Sequence, residues 1–329
     1  MRLDTDITKT FTKSLKIYSG EDFPTYLPKL SLLYDDLFAG GKGFRAKLIQ
    51  QVCSHLKAPA DVVHLLAQTI EFIHNASLLH DDLVDRSHLR RGKPAAWTKY
   101  TPEYAVLAGD YLLARVMVNL SAHGNIHLVS YTAQIISDLL EGEWLQDSVV
   151  GDFFVTLEQL DRIHHLKTAS LFKWCIRAPF IASELKDVSL HQLLEELGNL
   201  LGLLFQRSDD LLDYDIRNEE GKAILGDLKS GYMNSFGAFL VSDRSHRDID
   251  TVVRVKDLPE LYTALGGKAQ FDLKLAAFDD MNRKLIQLYN HKLEHLEKSL
   301  ATSNVDGPGL VARLQALPDL LYWRKKPQG

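Results

Sequence analysis

Two clusters of aspartates stand out among the residues that could do chemistry. The chain contains four Asp-Asp pairs, and only the pairs that begin at Asp81 and Asp209 are followed by a third aspartate, Asp85 or Asp213, at the i+4 position. On a helix, residues i and i+4 share a face with Cβ atoms about 5 to 6 Å apart. Carboxylates this close repel each other unless a cation lies between them. Oxygen ligands without His or Cys favour Mg²⁺.

Basic side chains accompany both clusters in loops that contain glycine. Arginine offers planar paired donors to phosphate, lysine offers a point charge, and glycine lets the backbone approach an oxyanion closely. The loop cations are Lys42, Arg45, Arg90, Arg91 and Lys222. The pattern predicts one diphosphate held through metal ions by Asp81, Asp85 and Asp209, and a second held directly by the basic loops. Two phosphate sites imply two substrates.

Composition limits the class of protein. The 329 residues are 46% hydrophobic and 25% charged with a formal net charge of −5, which gives no basic face for nucleic acid. No run of about 18 apolar residues and no export signal is evident, so we expect no stable membrane anchor. Cys53 and Cys175 form no CxxC motif and lie in apolar surroundings. We therefore predict two reduced, buried thiols and a cytoplasmic protein.

Apolar residues recur at helical spacing along most of the chain, so the predicted fold class is all-α. The segment 191–214 is apolar nearly all round, as expected for a helix in the centre of a bundle, and Gly198 and Gly202 permit close helix approach. We interpret 242–267 as a loop followed by a short helix. Without a linker-like tract, the chain is predicted to be a single domain over 1–329. Its peripheral segments are predicted to be 1–20 and 303–329.

With these features placed, the chain resembles the trans (E) polyprenyl diphosphate synthases, the head-to-tail isoprenyl elongating enzymes. The resemblance implies an all-α isoprenoid synthase bundle around a central cavity, usually a homodimer, with both clusters facing that cavity. The matching stretches are GGKGFRAKL at Gly40, EFIHNASLLHDDLVD at Glu71, RRGKPA at Arg90, GDYLLARV at Gly109, KTASLF at Lys167, FQRSDDLLDY at Phe205 and GKAILGDL at Gly221.

The resemblance also implies a role for each matching side chain. Asp81, Asp85 and Asp209 would bind three Mg²⁺, with Mn²⁺ as an alternative, and Asp82 and Asp213 would support them. The allylic diphosphate would be held by Arg90, Lys167 and Lys222. Isopentenyl diphosphate would be held by Lys42, Arg45, His74 and Arg91. The developing carbocation would be stabilised by Thr168 and Gln206.

Two other functions are compatible with the same predicted fold. A class I terpene cyclase would share the fold and the first cluster, but Lys42, Arg45 and His74 argue against it because a cyclase typically lacks the isopentenyl site. A non-catalytic partner subunit of a heteromeric synthase normally loses one aspartate cluster, and both are intact here. His74 has its own alternative, a hydrogen-bonded core histidine.

Product length is predicted from the residues just before Asp81. Ala76 and Ser77 are small, so the cavity floor is predicted to be open and the product longer than C20. A short-chain product of C15 to C20 is the alternative, with Phe72, Thr69 or Met117 closing the cavity deeper.

The chain departs from the family pattern after the second cluster. Tyr232 replaces the usual lysine and Asn234 the usual threonine, and the proline after them is missing; Lys229 is a candidate replacement for the lysine. The other departures are Arg207 and Ser208 at usually apolar positions, and Gly43 for a loop arginine. We expect Arg207 to place a cation at the cavity rim or in solvent.

Overall fold

A computed structural model describes residues 22–30, 32, 43–90, 92–216 and 223–323. Three predicted site residues, Lys42, Arg91 and Lys222, lie outside the described residues. The chain divides into two compact units, each of which is described by itself. The first comprises Met1–Tyr131 and Ala178–Leu185, and the second comprises Thr132–Arg177 and Lys186–Gly329. The arrangement of the two clusters around one cavity and the single-domain organisation stay predictions.

The described residues are mainly helical, which confirms the predicted fold class. Within them, one two-stranded antiparallel hairpin pairs Leu89 with Pro94 and Arg90 with Lys93. The elements are α1 (Phe44–Leu56), α2 (Ala60–Val84), β1 (Leu89–Arg90), β2 (Lys93–Pro94), α3 (Ala96–Lys99), α4 (Pro102–His123), α5 (Ile126–Ser148), α6 (Leu157–Lys167), α7 (Ala169–Ala182), α8 (Val188–Asp210), a 3₁₀ turn (Leu211–Tyr214), α9 (Gly226–Lys229), α10 (Ser235–Val241), α11 (His246–Val252), α12 (Leu258–Leu265), α13 (Lys268–Leu300), α14 (Gly307–Gln315) and a π-helical turn (Asp319–Trp323).

Helix α2 carries the first cluster, and it packs against α1 and α4 in the first unit. Its residues Leu66, Ile70 and Ile73, three or four positions apart, are almost completely buried and form the face that a core helix requires. The helix ends at Val84, and Asp85 caps it. The packing of α2 in the core of the first unit thus fixes the helix end at which Asp81 and Asp85 lie.

Helix α4 is the one described helix that is long and apolar enough to cross a membrane, and a third of its most apolar window is buried. Core helices of soluble proteins meet the same criteria. Its Arg115 is 3.1 Å from buried Asp22, and its Asp110 is 3.4 Å from His80. These polar contacts and the packing on α2 are typical of a helix in a folded domain.

Helix α8 ends with Asp209 and Asp210 of the second cluster, whereas Asp213 lies in the 3₁₀ turn that follows. Helix α8 packs against α6, α13 and the π-helical turn in the second unit. A Cβ atom added at Gly198 would lie 2.4 Å from the Cα of Lys173, and one at Gly202 would lie 2.2 Å from the Cα of Ala169. Both glycines therefore permit the close approach of α7 and α8, as predicted. This crossing sets the position of Gln206, which lies one turn further along α8.

The region 242–267 differs from its predicted form, because it contains two short helices, α11 and α12, where one was expected. Each begins with a side-chain cap that the sequence encodes. The hydroxyl of Ser245 accepts from the backbone N–H of Asp248, and Asp257 accepts from the N–H of Glu260 at 2.9 Å. The polar composition of the first part was wrongly interpreted as a loop, since capping residues are themselves polar.

Both cysteines are free and buried, as the sequence predicts. Burial raises the pKa of the Cys53 thiol to about 12, so this thiol stays protonated and unreactive.

Candidate active site

The first cluster combines a buried aspartate with two more accessible ones. Asp82 is 5% exposed, whereas Asp81 is half-buried and Asp85 is exposed. The Nε of Arg90 donates to the two carboxylate oxygens of Asp82 at 2.9 and 3.1 Å, and its Nη2 also donates to this carboxylate. The family resemblance implied separate roles for Arg90 and Asp82, in substrate and metal binding, and the structure pairs the two side chains with each other.

The hairpin after α2 brings Arg90 to this position. Arg86 adopts a left-handed conformation with φ +52°, and the N–H of Ser87 then donates to the carbonyl of Asp82 at 2.9 Å. Gly92, with φ +76°, lets the chain reverse between β1 and β2. The indole N–H of Trp97 donates to the carbonyl of Ser87 at 2.8 Å and holds this turn.

Arg45 and His74 lie on α1 and α2, which are joined by a buried carboxylate that sequence reasoning missed. Glu71 Oε1 accepts from the N–H of Ala46 at 3.2 Å, in the first turn of α1. Gly43 precedes this helix with φ +55°, a conformation that favours glycine over the arginine usual in the family. Arg45 and His74 are both half-buried. The sequence signal for Glu71 was its place in the stretch EFIHNASLLHDD.

The second cluster places its middle aspartate in a structural role. Asp210 is 2% exposed, and its Oδ2 accepts from the backbone N–H of Ser235 at 2.9 Å and from the Ser235 hydroxyl. Its Oδ1 accepts from the amide of Gln206 at 2.9 Å. Asp210 therefore connects the end of α8 to the start of α10, while the neighbouring Asp209 remains half-buried.

Asp213 is also part of a hydrogen-bond chain. It is 1% exposed, and its Oδ2 accepts from the backbone N–H of Asp227 at 2.7 Å. Asp227 in turn accepts from the side-chain amide of Asn234 at 2.9 Å. Asn234 also caps α10 by accepting from the N–H of Gly237 at 2.9 Å. Asparagine caps helices as well as threonine does. Asn234 therefore caps α10, and its side-chain amide in addition donates a hydrogen bond to Asp227.

Lys167, Thr168 and Gln206 lie at the junction of α6, α7 and α8. The hydroxyl of Thr168 donates to Oε1 of Gln206 at 2.7 Å, so the structure brings together two residues that were predicted to act together. Lys167 forms an ion pair with Glu143 on α5, a residue that sequence reasoning missed. A Cβ atom added at Gly142 would lie 2.8 Å from the backbone N of Lys167. Glycine at this position lets α5 approach closely and present Glu143.

The predicted position of Arg207 is wrong. Its guanidinium is buried, with Nη2 2.7 Å from Asp161 Oδ2 and Nη1 2.8 Å from Asn282 Oδ1. Ser208 is buried too, and its hydroxyl donates to the carbonyl of Tyr322 at 2.8 Å. Both residues therefore bond α8 to its neighbours in the core of the second unit. A sequence cannot distinguish a rim arginine from a buried one when its acidic partner lies about 46 positions away.

The candidate replacement for the missing lysine has a local contact. The ammonium of Lys229 donates to the carbonyl of Ile224 at 2.9 Å, and the side chain is exposed. Tyr232, at the lysine position, packs against the hydrophobic core of the second unit.

Burial controls the charge of one histidine beside this network. His164 on α6 is 3% exposed, and burial lowers its pKa to about 4, partly opposed by the carboxylate of Asp161. The ring is therefore neutral at pH 7.

Asp81 and Asp85 in the first unit, and Asp209 in the second, each offer carboxylate oxygens, which are the donors that a hard divalent cation prefers. Within the described residues, no group of three or more His, Cys, Asp or Glu side chains is assembled as a metal site.

Comparison with known proteins places the chain in a family. A family model described as polyprenyl synthetase matches residues 28–257, and the chain belongs to this family. Polyprenyl synthetases are magnesium-dependent and use isopentenyl and allylic diphosphates. Among its relatives is the chloroplastic solanesyl-diphosphate synthase 2 of Oryza sativa subsp. japonica, 34% identical over 237 residues, which are 70% of this chain and 58% of that one. The chain thus spans less than two thirds of the rice protein's length.

Solved structures agree in fold. A decaprenyl diphosphate synthase from Rhodobacter capsulatus matches with a TM-score of 0.75 and 27% identity, covering 91% of both chains. A polyprenyl synthase from Caulobacter crescentus CB15, complexed with calcium and isoprenyl diphosphate, matches with a TM-score of 0.71 and 26% identity, covering 97% of this chain and 93% of that one.

Proposed function

We propose that this protein is a Mg²⁺-dependent trans-prenyltransferase that condenses isopentenyl diphosphate with an allylic diphosphate, head to tail. The observation that carries the proposal is the partition within each cluster. In a chain of this family, Asp81 and Asp209 are half-buried at the ends of buried helices, while Asp82 is 5% exposed and Asp210 is 2% exposed. The accessible carboxylates are those expected to bind metal.

The acidic residues would hold the allylic diphosphate through metal ions. Asp81, Asp85 and Asp209 would hold Mg²⁺, three ions with substrate bound, and Mn²⁺ is an alternative. Bound Mg²⁺ neutralises diphosphate charge and makes it a better leaving group. Asp82 and Asp213 would support these ligands through Arg90 and the backbone of Asp227. The support is positional, since each of these two carboxylates already accepts hydrogen bonds.

The basic residues would bind the two diphosphates directly. Arg90, Lys167 and Lys222 are proposed for the allylic substrate, and both Arg90 and Lys167 have acidic partners that orient them, Asp82 and Glu143. Isopentenyl diphosphate is assigned to Lys42, Arg45, His74 and Arg91.

Thr168 and Gln206 would stabilise positive charge. The C1–O bond of the allylic diphosphate breaks with the electron pair leaving on diphosphate, and the isopentenyl double bond attacks C1. The resulting carbocation would lose a proton to the released diphosphate, and the electrons of that C–H bond form the new double bond. The hydroxyl proton of Thr168 is committed to Gln206 Oε1. The Thr168 oxygen lone pairs therefore remain available to the developing cation.

We propose a product longer than C20. Two of the named relatives are a solanesyl and a decaprenyl diphosphate synthase, and the small residues Ala76 and Ser77 precede the first cluster. Ala76 is fully buried, so a larger side chain there would displace its neighbours.

A homodimer in the cytoplasm completes the proposal. In the first unit, α4 exposes Leu107 at 68% and Val118 at 54%, and Val106 is also exposed. A row of exposed apolar side chains on a folded helix fits contact with another protein surface. A second copy of this chain is the proposed partner.

One assay tests the activity. Purified protein is incubated with Mg²⁺, labelled isopentenyl diphosphate and C5, C10, C15 or C20 allylic diphosphates, and products are separated by length. Elongation beyond C20 is expected. Release of a cyclic hydrocarbon without isopentenyl incorporation would indicate a terpene cyclase, and no turnover with any primer would favour a non-catalytic subunit.

A further inference from the structure

A buried polar chain runs from the π-helical turn to the catalytic end of α8. The phenol of Tyr322 donates to Asp279 Oδ1 at 2.7 Å and accepts from the Asn282 amide at 3.0 Å. Asn282 Oδ1 accepts from Nη1 of Arg207 at 2.8 Å, and Arg207 also pairs with Asp161. Every member lies in the second unit, and the chain reaches the two residues that directly precede Asp209.

Tyr322 contacts α8 by two routes. The first is direct, because the hydroxyl of Ser208 donates to the Tyr322 carbonyl at 2.8 Å. The second passes through Asn282 to Arg207. Both routes are shielded from water, since Tyr322 and Asn282 are fully buried and Arg207 is 3% exposed. Hydrogen bonds in such an environment are directional and costly to leave unmade.

The contact between Tyr322 and α8 affects Asp209 because all side chains of one helical turn share the same backbone. Gln206, which is proposed to face the substrate, precedes Asp209 by three residues, so the two side chains lie on the same side of α8. Arg207 and Ser208 occupy the buried side of the same turn. A side chain that fixes the buried side of one helical turn also fixes the orientation of the carboxylate presented by that turn.

We infer that Tyr322 is a positioning residue for Asp209, and that the C-terminal π-helical turn thereby sets the affinity of the second cluster for its divalent cation. This inference rests on the proposed metal role of Asp209. It also gives a purpose to Arg207 and Ser208, the two polar residues at usually apolar positions.

The test compares two tyrosines that differ in one respect. Tyr289, on α13, is fully buried and donates to the Leu314 carbonyl at 3.0 Å, but it lies outside the chain that reaches α8. Tyr322→Phe and Tyr289→Phe each remove one buried hydroxyl. Both variants are expected to lose some thermal stability.

The concentration of Mg²⁺ that each variant needs for elongation distinguishes Tyr322→Phe from Tyr289→Phe. Outer-sphere substitutions typically cost about 10- to 100-fold in metal affinity, so a partner one step further out should raise the half-saturating Mg²⁺ for elongation by at least about threefold. That rise is expected for Tyr322→Phe, with kcat at saturating Mg²⁺ changed much less, and Tyr289→Phe should keep the wild-type value. Equal Mg²⁺ requirements in the two variants would overturn the inference.

Two further measurements keep the test decisive. Ser208→Ala removes only the direct bond to Tyr322 and changes little volume, so it replaces Tyr322→Phe if that variant does not fold. Thermal stabilisation by Mg²⁺ with inorganic diphosphate reports on metal binding without turnover. Failure of the wild-type protein to elongate any primer would refute the proposed function, while this binding arm would still judge the role of Tyr322.

Discussion

The two aspartate clusters share one spacing and differ in how their third member is used. In both clusters the first aspartate is half-buried, and the second is buried and accepts hydrogen bonds. Asp82 accepts from the Arg90 side chain, and Asp210 accepts from Ser235. The third differs, since Asp85 is exposed whereas Asp213 is 1% exposed and accepts from the backbone N–H of Asp227. The same five-residue pattern therefore forms a helix end that faces water in one unit and a buried junction in the other.

The largest expected effect is on turnover at the first position. Asp81→Ala should lower kcat/KM by at least about 100-fold, because a metal ligand is lost, while thermal stability stays near that of the wild type. Asp280→Ala is the matched control, since Asp280 follows an aspartate but is an exposed residue paired with Arg283 and Lys284. Retention of more than about a tenth of the rate, a loss under about 1.4 kcal/mol, would contradict the metal role.

Acid should destabilise the unit that carries the second cluster, through buried His164. Its pKa is about 4 in the folded protein and 6.5 in the reference state. Between these values the unfolded chain binds more protons, so stability is full above about pH 6.5 and falls as pH drops towards 4, by up to about 3 kcal/mol. Urea unfolding at several pH values measures this loss.

The control for acid sensitivity is a variant without a titrating group at position 164. His164→Gln should flatten the dependence of stability on pH between pH 6.5 and pH 4, since the replacement does not titrate. An unchanged slope in His164→Gln would assign the acid sensitivity to other groups.

Substitution of the third aspartate should lower the free energy of unfolding much more in the second cluster than in the first. Asp213→Ala removes the acceptor of the half-buried backbone N–H of Asp227 and should cost about 2 kcal/mol, within the usual penalty for leaving such a group unpaired. Asp85→Ala, at the equivalent exposed position, should cost less than about 0.5 kcal/mol. Denaturant midpoints at unchanged m-value provide the comparison. Equal losses would show that the difference in exposure has no energetic consequence.

The same contrast explains what a sequence can and cannot predict here. Helical periodicity predicted the all-α fold class and the central helix over 191–214, because a buried helix carries an apolar pattern that local spacing records. The glycine crossing of α8 was predictable for the same reason, since a residue without a Cβ atom at i and i+4 leaves a groove along one helix face.

The partners of charged residues were not predictable. Arg207 pairs with Asp161 and Asn282, and Lys167 pairs with Glu143, across 24 to 75 positions of sequence. Such pairs depend on tertiary packing, for which a single sequence carries no local signal. Asn234 is an intermediate case, because its capping role follows from its residue type, while its bond to Asp227 does not.

The smallest expected change in rate accompanies a change in product. Four residues before the first aspartate of each cluster, the first helix has Ser77 and the second has Phe205, which packs on Phe172 with ring centroids 5.5 Å apart. Ser77→Phe gives the first helix the bulk that the second already has. We expect shorter products, with total isopentenyl incorporation per primer reduced and the rate of the first condensation within about threefold of wild type.

Ser77→Ala is the matched control for that substitution. This substitution removes the Ser77 hydroxyl, which donates to the His74 carbonyl at 2.9 Å, and adds no volume. The product distribution of Ser77→Ala should therefore equal that of the wild type. If Ser77→Phe leaves the distribution unchanged as well, the growing chain does not pass this turn of α2, and the limit on product length must lie at deeper residues such as Phe72 or Thr69, both of which are buried.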